Sequence, residues 1–254
     1  LGVWVQASQG NRVLNNTILR MDEASAAGIY LGIGEVIDAR IEGNRVSSCY
    51  EGIRVATNPG QEISGLLIAN NSIESSLANG TYLRLTVSSR VVNNSFISAG
   101  GSGVFIGAGC RDILLEGNNI SGNRGAGLYI RDADDVEATG NLFFGNVREG
   151  VYLERGSGSS IHGNALLFNK DSGRQYSPLR PQAYCGEAGN NWSLDTGNLW
   201  ADWLSPDLND DGIVDLPYNI SGGFQDPFPL TSIPGLEIPA DITPPEIISY
   251  APQG

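Results

Sequence analysis

The chain has 254 residues, and its 28 acidic and 15 basic side chains give it a net charge of −13. This acidic balance argues against nucleic acid and anionic membrane surfaces as partners, because both are bound through basic patches. No apolar run has the roughly 18 residues that a membrane span requires. The chain contains one histidine, His162, and one lysine, Lys170, which excludes a multi-histidine metal site and most lysine chemistry.

Seven short segments share one pattern, a glycine followed by alternating inward and outward positions. A period of two residues is typical of β-strands, whereas a helix repeats every 3.6 residues. The segments are Gly2-Val-Trp-Val, Gly28-Ile-Tyr-Leu, Gly52-Ile-Arg-Val, Gly80-Thr-Tyr-Leu, Gly103-Val-Phe-Ile, Gly127-Leu-Tyr-Ile and Gly150-Val-Tyr-Leu.

A second series, which we name the asparagine ladder, interlocks with the first at spacings of 23 to 28 residues. From Asn94 onward, each ladder asparagine precedes the next strand glycine by nine residues. A period of about 23 residues holds three short strands and three turns, so we predict an all-β parallel β-helix of about seven coils. The ladder comprises Asn16, Asn44, Asn71, Asn94, Asn118, Asn141 and Asn164.

The residue before each ladder asparagine is always Gly or Asn. These residues adopt positive φ at low cost, so we predict a left-handed corner at the same point of every coil. The ladder asparagines should then stack and hydrogen-bond to one another through their amides. A shorter series, Asn123, Asn146 and Asn169, predicts a second corner of the same kind.

The segment from Asp207 to Asp215 has the spacing of a calcium-binding loop. Oxygen-bearing side chains occupy positions 1, 3, 5 and 9 of an EF-hand-type loop, with glycine at position 6. Tyr218 replaces the usual glutamate at position 12, so the ion would need water or a remote ligand such as Asp226. The alternative interpretation of the segment is a solvated acidic turn without an ion. The predicted Ca²⁺ ligands are Asp207, Asn209, Asp211, the Ile213 carbonyl and Asp215.

This loop lies inside a block that resembles the closing block of NosD-like right-handed parallel β-helix proteins, found on archaeal and bacterial surfaces. The resemblance covers roughly residues 1–230, and it implies a right-handed helix and an exported, carbohydrate-associated or structural role. Its motifs are Gly189-Asn-Asn-Trp192, the calcium-type loop, Asp215-Leu-Pro217-Tyr218-Asn219-Ile220 and Gln225-Asp226-Pro-Phe-Pro229-Leu230.

Composition divides the chain into three parts. We predict β-helix coils over residues 1–173, followed over 174–230 by an irregular, tryptophan-rich C-terminal cap with the calcium-type loop. Residues 231–254 are a proline-rich linker, and their Thr-Pro-Pro-x-Ile motif resembles the lead-in to immunoglobulin-like modules. We therefore expect the chain to be one module of a larger surface protein, continuing upstream or meeting a neighbour at its first coil.

The outward positions of the glycine-led strands are occupied by aromatic residues in six coils of seven, with Arg54 in the remaining one. Stacked rings could form a platform for sugar faces; the alternative is that they stack only on one another or are covered by another segment or chain. The predicted platform residues are Trp4, Tyr30, Tyr82, Phe105, Tyr129 and Tyr152.

Other reactive side chains give weaker signals. His162 points outward near Glu137 and could take part in acid–base chemistry, but the pattern favours an ordinary surface histidine. The acidic run Asp132-Ala-Asp134-Asp135 is predicted to be a solvated turn, with a second cation site as the alternative. The three cysteines, Cys49, Cys110 and Cys185, have the wrong spacing for zinc, which leaves buried thiols or one disulfide pair.

These patterns favour a non-enzymatic, extracellular or cell-surface β-helix module with a structural and carbohydrate-binding role, Ca²⁺ as its cofactor, and polysaccharide or neighbouring modules as partners. A polysaccharide lyase or uronate epimerase with its groove along the aromatic positions is the second hypothesis. A self-assembling surface-layer or filament subunit that uses the open first coil is the third. No catalytic residue is predicted.

Overall fold

A computed structural model describes residues 2–20, 26–171 and 177–234. Most of the predicted linker, residues 235–254, and the start of the predicted cap lie outside the described residues. Short strands and tight turns make up nearly all of the described chain, and the one helical turn is a 3-10 turn at Asn169–Asp171. No helix in these ranges has the length and apolarity of a membrane span.

The strands form three parallel sheets that the chain visits in turn, and each coil contributes to all three. Sheet 1 contains Val3–Val5, Ala27–Gly32, Glu51–Ala56, Thr81–Leu83, Val104–Ile106, Leu128–Arg131, Val151–Arg155 and Ala183–Cys185. Sheet 2 contains Ser8–Gln9, Arg12–Leu14, Val36–Ile37, Arg40–Glu42, Ile63–Ser64, Leu67–Ala69, Thr86–Val92, Arg111–Glu116, Asp134–Thr139 and Ser160–His162. Sheet 3 contains Thr17–Leu19, Arg45–Ser47, Ser72–Glu74, Ser95–Ile97, Asn119–Ser121, Leu142–Phe144, Ala165–Leu167 and Leu199–Trp200.

Consecutive coils are neighbours in every sheet, so the architecture is the predicted parallel β-helix, with about seven turns. Strands of this kind lie about 4.8 Å apart, so each side chain has its equivalent one coil away at that distance. Alternate residues of each strand face inward, and together they fill a continuous apolar core. Val3 and Val5 of the first coil are only partly buried, because no described coil covers them.

The strand glycines are required by close packing between coils. A Cβ built on Gly127 would lie 2.6 Å from the carbonyl oxygen of Gly150 and 2.8 Å from the ring of Phe143. Gly80 and Gly103 face the same two obstacles, the next coil's backbone and an inward residue of sheet 3. The glycine series therefore marks the place where sheets 1 and 3 meet too closely for any side chain.

The predicted left-handed corners are present in every coil. The residue before each ladder asparagine has φ between 55° and 67°, which Gly and Asn tolerate best. These corner residues are Asn15, Gly43, Asn70, Asn93, Gly117, Gly140 and Gly163.

The asparagine ladder forms as predicted, and all of its hydrogen bonds run in one direction. Asn118, for example, donates its Nδ2 to Asn141 Oδ1 at 2.9 Å, and its Oδ1 accepts from the backbone N and Nδ2 of Asn94. From Asn44 onward, each Nδ2 also donates to a backbone carbonyl of the preceding coil, which is Val91 O for Asn118. Because these amides are buried, each one satisfies backbone groups that water cannot reach.

The second corner carries a similar but shorter ladder. Asn123 donates to Asn146 Oδ1, and Asn146 donates to Asn169 Oδ1, at 2.9 and 2.8 Å. Asn169 in turn donates to Oε1 of Gln182 at 3.1 Å. Gln182 occupies the position that is Gly150 in the coil before, so a buried side chain replaces the strand glycine where the repeat ends.

The segment after the coils differs from the predicted boundary at residue 173. Its strands Ala183–Cys185 and Leu199–Trp200 extend sheets 1 and 3, because the polypeptide completes most of one further coil. The antiparallel pair Tyr218–Ile220 and Phe224–Asp226 then packs on this coil. Trp200 stacks on Tyr218 with ring centroids 3.8 Å apart, which joins the two parts of the cap.

Each of the two ladders ends on its own buried aspartate of the cap. Asp226 Oδ2 accepts from the backbone N of Asn198 at 2.7 Å, from its Nδ2 at 3.2 Å, and from Trp200 Nε1 at 2.9 Å, while Asn198 itself accepts from Asn164. Asp202 accepts from Nε2 of Gln182 at 2.6 Å. Burial raises the pKa of both carboxyl groups, although the hydrogen bonds that they accept favour the charged form.

We predict that Asn118→Leu lowers the free energy of unfolding by about 2–4 kcal/mol, since it leaves the backbone N of Asn94 and the carbonyl of Val91 buried without these partners. Denaturant titration measures the loss. The same substitution at the exposed neighbour, Asn119→Leu, is the control and should cost far less. Equal costs at the two positions would show that the ladder contributes nothing special.

We predict that Asp226→Asn destabilises the protein by about 2–4 kcal/mol. The amide has only one acceptor oxygen, and its NH2 group would face N–H groups that themselves donate to this site, such as those of Asn198 and Trp200. Asp195→Asn, an exposed change in the same segment, is the matched control. Thermal and denaturant melts of both variants measure the difference. Full stability of Asp226→Asn would mean that no carboxylate is needed at the end of the ladder.

Candidate functional site

The outward aromatic residues of sheet 1 lie in strict register and form what we call the aromatic column. Cα partners run from Trp4 through each coil to Tyr152, with Arg54 between Tyr30 and Tyr82. The column also includes Tyr184, which pairs with Tyr152. Sequence analysis missed Tyr184 because an alanine, Ala183, replaces the inward hydrophobic residue and no glycine opens that strand; its Ala-Tyr-Cys alternation was the available signal.

The rings contact one another but do not form one flat surface. Trp4–Tyr30, Tyr82–Phe105 and Tyr152–Tyr184 are stacked pairs, with centroids 6.2, 5.2 and 4.5 Å apart. Tyr129 stands edge-on to both of its neighbours, at interplanar angles of 72° and 90°. Trp4 is 48% exposed and the other rings are partly exposed, so the column offers three stacked pairs to solvent.

Small residues beside the column give the rings room to lean along the sheet. Two residues after the ring position, a Cβ on Gly107 would lie 2.9 Å from the ring of Phe105. Gly32 has the same relation to Tyr30, and its strand neighbour Ala56 accepts a hydrogen bond from the Tyr30 hydroxyl at 3.3 Å. These positions form a second outward column, which in successive coils holds Gly32, Ala56, Arg84 and Gly107.

Arginines flank several rings. The guanidinium carbon of Arg54 lies 4.8 Å from the Tyr82 ring centroid, and Arg148 lies 4.9 Å from that of Tyr152. Arg54 is held by Glu51, whose carboxylate lies 2.7 Å from its Nη1. Cation–π contacts of this kind fix the orientation of a ring as well as adding stability.

A charged cluster adjoins the column at the sixth and seventh coils. The Tyr129 hydroxyl donates to Glu154, and Arg131 Nε lies 3.6 Å from the same carboxylate. Arg155 binds Asp132 through two nitrogens, at 2.5 and 2.9 Å. Sequence analysis did not foresee the cluster, because Asp132 was assigned to a solvated turn and the partners lie one coil apart.

Interactions within the cluster keep the Tyr129 phenol protonated and the Asp132 carboxylate charged. Burial, together with the hydrogen bond to Glu154, raises the pKa of Tyr129 to about 12, so this phenol remains protonated at neutral pH. The hydrogen bond from Arg155 lowers the pKa of Asp132, which keeps that carboxylate charged. Tyr129 is therefore a hydrogen-bond donor near neutral pH and a poor general base.

His162 lies on a different face from this cluster. It belongs to sheet 2, where its Nε2 lies 3.4 Å from a Glu137 carboxylate oxygen, so it does not join the groups on sheet 1. The three cysteines are buried free thiols, and burial raises the pKa of Cys110 to about 11. The predicted disulfide alternative is therefore wrong in this structure.

The calcium-type loop turns its carboxylates toward its own backbone. Asp207 accepts from Gly212 N at 2.8 Å, Asp211 accepts from Ile213 N at 2.8 Å, and Asp215 accepts from Leu208 N at 2.9 Å. Asn209 Nδ2 donates to Asp211 at 2.9 Å. In the described residues no three acidic, histidine or cysteine side chains converge on one point, so calcium binding by this loop stays a prediction.

The cap shows why position 12 is not a calcium ligand. Tyr218, at position 12, is fully buried, and its hydroxyl contacts Asp202 and the backbone N of Gln182. Asp226 is engaged at the end of the asparagine ladder, so the suggestion that it supplies a remote calcium ligand is wrong. Water or another oxygen would have to complete the coordination of an ion.

Comparison with solved structures identifies several similar β-helices. A periplasmic alginate epimerase, AlgG, matches with a TM-score of 0.65 at 17% identity over 78% of this chain and 47% of its own. The A-module of the Azotobacter vinelandii mannuronan C-5 epimerase AlgE4 matches with a TM-score of 0.52 at 14% identity, over 78% of this chain and 79% of its own. The chain spans about half the length of the AlgG structure, and identities this low establish a shared fold alone.

Sequence comparison assigns a family. No curated protein matches the chain significantly. The family model described as "Right handed beta helix region" matches residues 1–166, which are most of the coils. This match agrees with the parallel sheets, the stacked asparagines and the left-handed corners described above. The chain belongs to the right-handed β-helix family.

Proposed function

We propose that this protein is a carbohydrate-binding β-helix module and that the aromatic column is its binding surface. The observation that carries the proposal is the register of sheet 1, which aligns seven rings and one arginine on one outer face. Pyranose rings present C–H groups on their faces, and aromatic rings bury such apolar surface while leaving sugar hydroxyls in water.

The partial exposure of the rings supports this role. Self-stacking alone would contribute to stability, but it does not account for rings held partly open to solvent on seven of the eight strands of sheet 1. The stacked pair Tyr82–Phe105 is one candidate subsite, since its rings are inclined by 19° and Arg54 fixes Tyr82 from the preceding coil. The Tyr152–Tyr184 pair, inclined by 15° with Arg148 against Tyr152, is a second. Structural neighbours include enzymes named as alginate and mannuronan epimerases, so long glycans are a reasonable class of partner.

We predict that the double variant Tyr82→Ala/Phe105→Ala weakens glycan binding at least about tenfold, which corresponds to roughly 1.4 kcal/mol. A glycan array selects the ligand, and isothermal titration then measures its Kd. Tyr50→Ala/Phe228→Ala is a matched control, because it also removes one tyrosine and one phenylalanine, which are 37% and 43% exposed away from the column.

Two outcomes would contradict the platform. Unchanged affinity in the column variant would show that the glycan binds elsewhere. The absence of any bound glycan on the array would contradict the proposed carbohydrate-binding function. A large loss of melting temperature in the column variant, relative to the control, would instead show that the rings are mainly structural. A folded variant that has lost affinity is the expected result.

Polysaccharide cleavage or epimerisation is a second candidate, favoured by the charged cluster at Tyr129 beside the column. Glu154, Arg131 and the phenol could contact one sugar and supply acid–base groups. The raised pKa of Tyr129 counts against its use as the base, and His162 is too distant to replace it. Incubation with polyuronates would reveal a lyase by the ultraviolet absorbance of unsaturated ends.

The calcium-type loop is proposed to bind one Ca²⁺ through Asp207, Asn209, Asp211, Asp215 and the Ile213 carbonyl. Four aspartates, three of them predicted ligands, lie within nine residues with no lysine or arginine between them, so a hard divalent cation is the natural counter-ion. The loop adjoins the cap, since Thr231 N donates to Gly212 O and Val214 N donates to Pro229 O. A bound ion would hold these segments together.

We predict that EDTA lowers the melting temperature and that added Ca²⁺ restores it, because binding to the folded state alone stabilises it by mass action. Asp211→Ala should remove this sensitivity to EDTA. Asp195→Ala, an exposed change outside the loop, should keep it. Identical melting curves for the parent protein with and without EDTA would contradict the proposal.

The expected location is extracellular or periplasmic. The structural neighbour AlgG is named as periplasmic, and the closing block of this chain resembles that of NosD-like surface proteins. A role as one module of a larger surface protein follows from the same resemblance and belongs to the proposal.

A further inference from the structure

Among the residues that the structure describes, Arg84 has no counter-ion, and it lies on the face of the aromatic column. In the described part of the chain, five arginines have no carboxylate within salt-bridge distance, and four of them are exposed, namely Arg12, Arg20, Arg124 and Arg180. Arg84 is the partly buried one. A guanidinium carries five N–H donors in a planar fork, and partial burial limits how well water can satisfy them.

Arg84 is flanked in the sheet by two small residues. It follows Leu83, whose Cα partners are Val55 and Ile106, so its neighbours in the adjacent coils are Ala56 and Gly107. Neither neighbour has a side chain longer than a methyl group. Tyr82 lies two residues before Arg84 on the same outward face, and the Phe105 ring leans over Gly107 in the next coil.

The carboxylates on or directly after the neighbouring strands of sheet 1 are already engaged. Glu51 pairs with Arg54 at 2.7 Å, and Glu154 lies 3.6 Å from Arg131 while accepting from Tyr129. Asp132 is held by Arg155. In a chain of net charge −13, a guanidinium left uncompensated beside a stacked ring pair is best explained by an anion that comes from a ligand.

We propose that Arg84 binds the anionic substituent, carboxylate or sulfate, of an acidic sugar whose face packs on Tyr82 and Phe105. The planar fork suits two parallel hydrogen bonds to either group, and neither neighbour of Arg84 in the sheet, Ala56 or Gly107, has a side chain longer than a methyl group. This inference rests on the proposed function, because it assigns a ligand class to the same surface. It predicts that the module prefers acidic glycans to neutral ones.

The test compares three hexasaccharides by isothermal titration at physiological salt: an oligogalacturonate, a sulfated carrageenan fragment and neutral cellohexaose. Arg84→Gln should weaken binding of the anionic ligands by about tenfold or more and leave cellohexaose unchanged. Arg124→Gln is the matched control, because it removes the same charge from an exposed arginine without a partner. Arg84→Lys should bind the anionic ligands more tightly than Arg84→Gln but less tightly than the parent protein, because an ammonium keeps the charge and loses the planar fork.

Each outcome separates this inference from the platform itself. Equal affinity for anionic and neutral hexamers, or no effect of Arg84→Gln, overturns the anionic subsite and leaves the platform intact. Failure of all three hexamers to bind, with an empty glycan array, overturns both. A preference for only one anionic hexamer identifies the carboxylate or the sulfate as the group bound, and circular dichroism confirms that each variant is folded.

Discussion

The one-way run of amide hydrogen bonds through the asparagine ladder is the interaction on which the rest of this structure depends. Each coil donates to the next, so the donors of the last amide face the C-terminal end. The last amide of the ladder, Asn198, is buried, so its donors need an acceptor. The Asp226 carboxylate accepts from both its backbone N and its Nδ2. Asp202 has the same role beyond Gln182 at the second corner. The cap is thus required chemically by the direction of the coils' hydrogen bonds as well as by their exposed apolar end.

The ladder fixes the period, and the period fixes the surface. Once amides align from coil to coil inside, every other position of the repeat aligns as well, including the outward positions of sheet 1. A residue type that recurs there becomes a continuous line at the spacing of β-strands. The glycine that opens each strand, two residues before the ring position in the first seven coils, serves the same register as the left-handed corner. A bulkier residue at either place would separate the coils.

Sequence periodicity predicted the coils, the corners and six rings of the column, because each is a local consequence of the repeat. Arrangements that depend on the geometry between coils could not be predicted in this way. The stacked pairs alternate with an edge-on Tyr129 because of Glu154, which comes from the following coil. Asp226 was named as one possible remote calcium ligand because a carboxylate fits that role too, and only the fold shows which donors reach it. Arg84 drew no attention, since its lack of a counter-ion depends on where every nearby acid points.

The cap also links the two proposed sites. Tyr184, the last ring of the column, lies on a strand whose ends are held by the cap: Cys185 N donates to Ser221 O, and Gln182 N donates to the Tyr218 hydroxyl. Tyr218 stacks on Trp200, while the neighbouring Trp203 donates to Leu216 O at the end of the calcium-type loop. An ion that orders the loop would therefore stabilise the same residues that position Tyr184. The Tyr82–Phe105 pair lies several coils away and is supported by the ladder instead, so calcium should influence only the C-terminal end of the platform.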